Sequence, residues 1–145
     1  MSKPPDTPGG DAHTAEAQRN ADAMYALDTA SQGLGIRITE VSHGRATARM
    51  TVTAAMVNGH RIAHGGYVFL LADTAFAFAC NTYGPATVAA AAEVAFIRPA
   101  REGDELVAVA SERLLHGRSG IYDVTVHRAG GEVVAEFRGH SRTLR

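Results

Sequence analysis

One cysteine, Cys80, stands in a chain of 145 residues, so no internal disulfide can form, as suits a reducing cytosol. A charge excess is also missing: 14 basic residues meet 15 acidic ones, for a net charge of −1. So even a balance exerts no overall pull on nucleic acid or on an anionic membrane. The greasiest run is shorter than the roughly 20 residues a bilayer span needs, and it carries an acid at its centre. The N-terminus, MSKPPDTPGGDAHTAEA, has no apolar core of the kind a signal peptide requires. Neither G-x-x-x-x-G-K-[ST] nor G-x-G-x-x-G occurs, so nucleotide phosphates are not cradled in those two ways. These absences leave a cytoplasmic domain with no nucleic-acid or membrane partner. At this length it buries about two-thirds of its unfolded surface, enough to dispense with a structural metal.

What is present divides the chain in two. Residues 1–17 are polar and rich in Pro, Gly and Ala, and read as a disordered leader. Residues 18–145 read as one domain. A short amphipathic helix is expected over residues 19–31, with Met24 and Leu27 on one face, ended by Gly33 and Gly35. Two strands follow over residues 35–42 and 45–52, joined at His43-Gly44. In the second, Ala46, Ala48, Met50 and Val52 alternate with Arg45, Thr47, Arg49 and Thr51. A loop over residues 53–66 leads into an apolar helix, residues 66–82, stopped by Gly84-Pro85. Four strands then fall over residues 87–98, 104–115, 119–128 and 132–144. Short turns between them predict an antiparallel meander. One sheet and one helix apolar all round give an α+β hot-dog fold, a curved antiparallel sheet wrapped around a long central helix. A single curved sheet has open edges, so pairing with a second copy is expected.

The central helix poses the chemical question. From Gly65 to Cys80 every residue is apolar or small except Asp73 and Thr74. An unpaired carboxylate in such a place costs several kcal/mol or is driven toward its neutral form. One answer is a cap or an arginine pair. The other is a catalytic carboxylate beside an apolar pocket, favoured because no basic residue lies within a helical turn. Just before the helix stands His64-Gly65-Gly66. Two glycines let backbone approach a ligand, and the free amides of a helix start suit a developing oxyanion. The plainer alternative is a tight turn into the helix. Gly65 and Asp73 are eight residues apart, roughly 12 Å along a helix. One carbonyl cannot touch both in the same chain, so a shared site would have to be built from two subunits.

Other candidates carry less. His60 and His64 have the spacing of a metal pair, but glycines surround them and no third ligand is evident. Gly117-Arg118-Ser119-Gly120 reads as a turn into a strand, not a nucleophile elbow. Cys80 reads as a small core residue. Tyr67, Phe69, Phe76 and Phe78 offer an aromatic acyl pocket, or core. Arg98, Arg101 and Arg118, at strand ends or turns, suit phosphate oxygens, or simply solvent.

The stretches VNGHRIAHGGYVFLLADTAFAFACN, VAFIRPAREGDEL, GRSGIYDVTV and VAEFRGHSR resemble the PaaI-type acyl-CoA thioesterases of the hot-dog superfamily, over nearly everything from Ala17 onward. The resemblance implies hydrolysis of phenylacetyl-CoA and its ring-hydroxylated forms to the free acid and CoA. It implies a catalytic carboxylate at Asp73, within L-A-D-T with Thr74, and an oxyanion amide at Gly65. Asn58 would help hold the reacting groups. His64 and Gly66 complete the motif; beside it, Arg98, Arg118 and Ser119 stand as candidate substrate contacts from their place at strand ends and turns. No metal or other cofactor is implied. The implied assembly is a tetramer, a dimer of hot-dog dimers. Two rival readings stay open: an acyl-CoA hydratase or dehydratase using His64 with an acid, and an acyl-CoA binding protein without turnover.

Overall fold

The computed structural model describes residues 8–145, with side chains from residue 12. Helices α1 (Pro8–Leu27) and α2 (Thr29–Gly33) come first, followed by strands β1 (Arg37–Ser42) and β2 (Arg45–Thr51). A 3-10 turn at Ala54–Met56 precedes helix α3 (Gly65–Cys80). Strands β3 (Thr87–Phe96), β4 (Glu105–His116), β5 (Ser119–Arg128) and β6 (Val133–Thr143) complete the chain. All six strands form one antiparallel sheet in the order β1-β2-β4-β5-β6-β3. No helix among the described residues is long and apolar enough to cross a membrane.

The inward face of β2 appears as read, with Ala46, Ala48, Met50 and Val52 buried, but Thr47 on the opposite face is buried as well, at 7% exposure. The inward residues face α3, whose Leu71, Ala72, Ala75, Phe76 and Ala79 are wholly enclosed. Phe76 packs against Tyr122 and Phe137, at ring separations of 5.6 and 5.8 Å. A Cβ on Gly139 would lie 2.7 Å from the Phe76 ring, so a glycine there lets β6 close onto the helix. Each such buried aromatic contributes about 2–3 kcal/mol by leaving water.

Two expectations are corrected. The meander holds only for β4, β5 and β6. Strand β3 does not pair with β4 but crosses to the far edge beside β6, while β2 takes the place next to β4. Helix α3 lies across the sheet between β2 and β3, so the chain returns at the opposite edge. The first helix also begins earlier than residue 19. Residues 1–7 of the expected leader lie outside the described residues. From Pro8 the chain is helical, and Ala17 is fully buried, so the boundary at residue 17 falls inside α1. The Pro and Gly content masked the helix formers Ala12, Ala15, Glu16, Ala17 and Gln18, and Pro at the first helical position is compatible with a helix start. The helix breaks at Asp28, whose carboxylate accepts the Ser31 amide at 2.9 Å and caps α2.

The two sheet edges are treated differently. Helix α1 packs along β1, with Ala17 and Ala21 buried and the Tyr25 hydroxyl donating to the Ile36 carbonyl at 2.6 Å. No strand among the described residues pairs with the outer edge of β3, and Ala89, Ala90, Ala91 and Ala92 are exposed along it.

Candidate active site

The loop before α3 is shaped by Asn58. Its Oδ1 accepts the His60 amide at 2.9 Å, and its backbone amide donates to the Ile62 carbonyl at 2.9 Å. These bonds close a tight loop in which Arg61 takes a positive φ of 62°. Val57 and Ala63 then pair across it. The loop is tied down at both sides: Ala63 N–H donates to the Ala100 carbonyl at 2.7 Å, and His64 N–H to Met56 at 2.8 Å. The Asn58 side-chain amide keeps its own N–H donors without a partner among the described residues.

His64 is the N-cap of α3. Its Nδ1 accepts the Gly66 amide at 2.9 Å. The neutral ring therefore carries its proton on Nε2. A Cβ on Gly66 would sit 3.0 Å from that Nδ1, so glycine makes room for the cap. The Gly66 amide is thus used internally, and Tyr67 N–H donates to the His64 carbonyl at 3.0 Å. The Gly65 amide has no acceptor among the described residues. It belongs to a helix N-terminus, where orphan N–H groups and the helix dipole favour negative charge.

Gly65 opens onto a groove of about 390 Å³ lined by Asn58, Ile62, Val68, Phe96, Arg98 and Val134, among others. A Cβ on Gly65 would come within 3.0 Å of the Phe96 ring, which lies over this glycine. Phe96 is 56% exposed, a large apolar side chain at the open end of β3. Arg98 donates to the Val133 carbonyl at 3.0 Å, which anchors the guanidinium at the groove.

Asp73 is not in that groove. It lies midway along α3, half-buried, on a stripe with Leu70 and Ala77 that the sheet leaves partly uncovered. It makes no hydrogen bond or ion pair among the described residues, and burial alone pushes its pKa up from the ordinary carboxylate value. Thr74, next to it, is 8% exposed. Arg118 lies in the β4–β5 turn and Ser119 opens β5; the Arg118 carbonyl accepts the Thr143 amide at 2.7 Å and Ser119 Oγ accepts from Arg142 at 3.1 Å. That turn is at the far end of the sheet, beside Thr87, whereas Phe96 and the groove lie at the other end of the ten-residue β3. The strand runs about 30 Å. One chain therefore brings together Asn58, Gly65 and Arg98, and separates them from Asp73, Thr74, Arg118 and Ser119.

The aromatic acyl pocket expected on the helix is corrected. Phe76 and Phe78 are 0% and 1% exposed, and Phe69 packs edge-on against Phe137 at 5.4 Å. They are core. The aromatic ring at the groove is Phe96, which sequence reasoning passed over. Its signal was a Phe-Ile pair at a strand end directly before Arg98-Pro99. Cys80 is buried, and burial raises its thiol pKa to about 12, which leaves it inert. His60 and His64 do not share a helix, since α3 starts only at Gly65.

Comparison with known proteins fits this architecture. Residues 60–135 match the thioesterase superfamily model. The acyl-coenzyme A thioesterase PaaI of Escherichia coli (strain K12) is 46% identical over 129 residues, covering 89% of this chain and 92% of that protein. The structure of the E. coli PaaI protein from the phenylacetic acid degradation operon superposes with a TM-score of 0.90 at 44% identity, over 92% of this chain and 96% of that one. A mutant of the phenylacetic acid degradation protein PaaI of Thermus thermophilus superposes with a TM-score of 0.77 at 36% identity, over 81% of this chain and all of that one. A helix cradled by a six-stranded antiparallel sheet, with a free amide at its glycine start and an unpaired acid midway, thus sits on a chain that belongs to the thioesterase superfamily, among its PaaI-type hot-dog members.

Proposed function

We propose that this thioesterase hydrolyses phenylacetyl-CoA and its ring-hydroxylated forms to the free acid and CoA, in phenylacetate degradation in the cytoplasm. The observation that carries the reading is the division of the site. A free oxyanion donor and an unpaired carboxylate lie on one helix, too far apart to serve one carbonyl in one chain. A second copy, related by a two-fold that sets two β3 edges side by side and antiparallel, would bring its Asp73 toward this chain's Gly65. The exposed, small-residue β3 edge supports that arrangement. Two composite sites per dimer result, and two dimers make the tetramer.

In this site the thioester carbonyl oxygen points at the Gly65 N–H, with the Asn58 side-chain amide beside it. Asp73 of the other copy, with Thr74 adjoining, stands on the opposite side of the carbonyl carbon. As a general base, Asp73 takes a proton from water while the hydroxide adds to the carbonyl. As a nucleophile, it attacks directly and forms a mixed anhydride that water then opens. In either course the C–S bond breaks, CoA leaves as the thiol after taking up a proton, and the negative oxygen rests on Gly65. Phe96 and Ile97 supply apolar surface at the groove for an aryl group. Arg98, with Arg118 and Ser119 from the partner, holds the polar part of CoA. His64 and Gly66 support the site by fixing the helix start.

The test is thiol release from phenylacetyl-CoA by the purified protein, beside a straight-chain acyl-CoA. Faster release from the aryl substrate is expected. Equal rates would remove the aryl preference. No release from any thioester by folded, oligomeric protein would overturn the reading.

A further inference from the structure

Away from the groove, at the β1 edge, three metal-ligating side chains converge. His13 and Glu16 lie three residues apart on α1 and so share a face. His43 is the first residue of the two-residue β1–β2 turn. One donor atom from each of the three lies within 4.8 Å of the others. The two His Nδ1 atoms are 2.9 Å apart, and His43 Nε2 is 3.3 Å from a Glu16 carboxylate oxygen. That Nε2 is buried, and the orientation gives it no hydrogen bond.

The turn that carries His43 is held rigidly. Gly44 N–H donates to the Thr82 hydroxyl at 2.8 Å, and the Gly44 carbonyl accepts the Glu112 amide at 2.8 Å. Gly44 has a φ of 74°, and a Cβ there would meet the Glu112 carboxylate at 2.9 Å, so a glycine lets the turn pack closely on β4. The Tyr83 ring lies against the His43 imidazole at 4.7 Å, and its hydroxyl donates to Glu112 at 2.7 Å. His43 is therefore a pre-oriented donor, and His13, exposed on the helix, is a movable one. The first half of α1 is otherwise weakly attached. Among its described side chains up to residue 20, Ala17 alone is buried.

We propose that His13, Glu16 and His43 bind a divalent transition-metal ion of the zinc type, which staples α1 to the β1–β2 turn. Two imidazoles and one carboxylate form a zinc donor set with a fourth position open to water. Zinc with donors at 2.0–2.2 Å needs donor separations of about 3.4 Å in a tetrahedron. His43 Nε2 and Glu16 already stand at 3.3 Å. Rotation of His13 supplies the rest. The site lies on the opposite edge of the sheet from β3 and takes no part in hydrolysis, so its effect is on docking of α1.

The experiment uses the full chain, freed of metal with a chelator and titrated with Zn²⁺, beside His13→Gln, Glu16→Gln and His43→Gln. One equivalent of Zn²⁺ per chain is expected to bind. In excess it should raise Tm by about 5 °C, because it binds only the folded state. Each variant should weaken binding by at least about tenfold. Co²⁺ in place of Zn²⁺ should give the intense visible absorption of a four-coordinate ion. Thiol release should be unchanged by metal or chelator. If the three variants bind Zn²⁺ as the natural chain does, or if Co²⁺ shows only its six-coordinate aqua-like spectrum, the proposal is overturned. Should one variant fold poorly, the other two and the Co²⁺ spectrum of the natural chain still decide it.

Discussion

Asp73 and Asp123 are the same residue in opposite circumstances. Asp123 is on the outer face of the sheet, in β5. There Arg138 of β6 donates to it twice, at 2.7 and 3.0 Å. Those bonds hold its carboxyl below the ordinary carboxylate value, against a smaller opposing effect of burial. Asp73 is on the helix that the sheet encloses. It has no cation beside it among the described residues, and burial moves its pKa the other way. The outer acid has its partner within the chain and needs nothing more. The inner acid is left half-buried and unmatched among the described residues, at a cost that burial imposes on its charged form. The paired carboxylate is a structural ion; the unpaired one is the acid proposed above to act on the thioester.

The sharpest way to break this comparison is to neutralise each acid in turn. Asp73→Asn should lower thiol release by about 10²–10⁴-fold, the range general-base catalysis supplies. It should not lower Tm at neutral pH. The native pKa of Asp73 is raised above its unfolded value of 3.8. The native state therefore holds its proton more tightly, and stability falls as pH rises from about 4 through the raised pKa. Asparagine removes that cost, so the variant should match or exceed the natural chain above this window and lose the advantage below it. Thermal melts from pH 4 to 8, beside the rate, check both halves. A full rate in the variant would end the catalytic assignment.

At the start of α3, Gly65→Pro removes the free amide. Proline suits the first position of a helix, His64 already has a pre-proline backbone with ψ of 131°, and no internal hydrogen bond is lost. The ring must displace Phe96, which is exposed and free to turn. Turnover should fall by about 10²–10³-fold, the usual loss on removing an oxyanion donor, in a chain that stays folded. Mixing this variant with Asp73→Asn in equal amounts should restore about one quarter of normal activity. Half the dimers then hold both chains, and each of those has one intact composite site. No recovery, once subunit exchange has been demonstrated, would count against a site built from two copies.

Much of this was legible in the sequence, and the reasons differ by residue. Strand limits were readable because turn residues such as His43-Gly44 and Ala129-Gly130-Gly131 punctuate them. The distance between Gly65 and Asp73 followed from helix rise alone. The position of β3 was not legible, because short connections do not reveal which neighbour a strand pairs with. Nor was the helix at residues 8–18, where Pro and Gly hid an alanine-rich segment that packs through Ala17. The four helix aromatics were ambiguous for a simpler reason: α3 is apolar on every face, so periodicity cannot separate core from pocket. Phe96 escaped notice because its role depends on lying over Gly65, a long-range contact no local pattern encodes.

Asp123→Asn is the counterpart of the first test and should do little. The pair with Arg138 is largely exposed, with side-chain exposures of 44% and 43%, so solvent screens it. Activity should stay near normal, and Tm at neutral pH should drop by about 1–2 °C. The sign of the pH dependence is the informative part. A lowered native pKa stabilises above the unfolded value of 3.8 and stops doing so as pH falls through the native value. The difference between variant and natural chain should therefore shrink below the unfolded value of 3.8 and vanish below the lower native value, the reverse of Asp73. If both variants shifted in the same direction with pH, the contrast between a paired and an unpaired carboxylate would fail.

A modest effect is expected at His64, and it separates the two chemistries that share this fold. Its Nδ1 is occupied by the Gly66 amide, so the ring works as a helix cap. Losing a cap costs about 0.5–2 kcal/mol. His64→Ala should lose stability in that range by urea titration, with hydrolysis reduced a few-fold as the start of α3 frays around Gly65. His64→Asn keeps a short oxygen acceptor at the cap and should recover most of both. An acid/base histidine behaves otherwise, since asparagine cannot exchange its proton and neither variant would retain the rate. Loss of turnover in His64→Asn with stability intact would therefore move the histidine from support into the reaction, and would return the hydratase or dehydratase reading to contention.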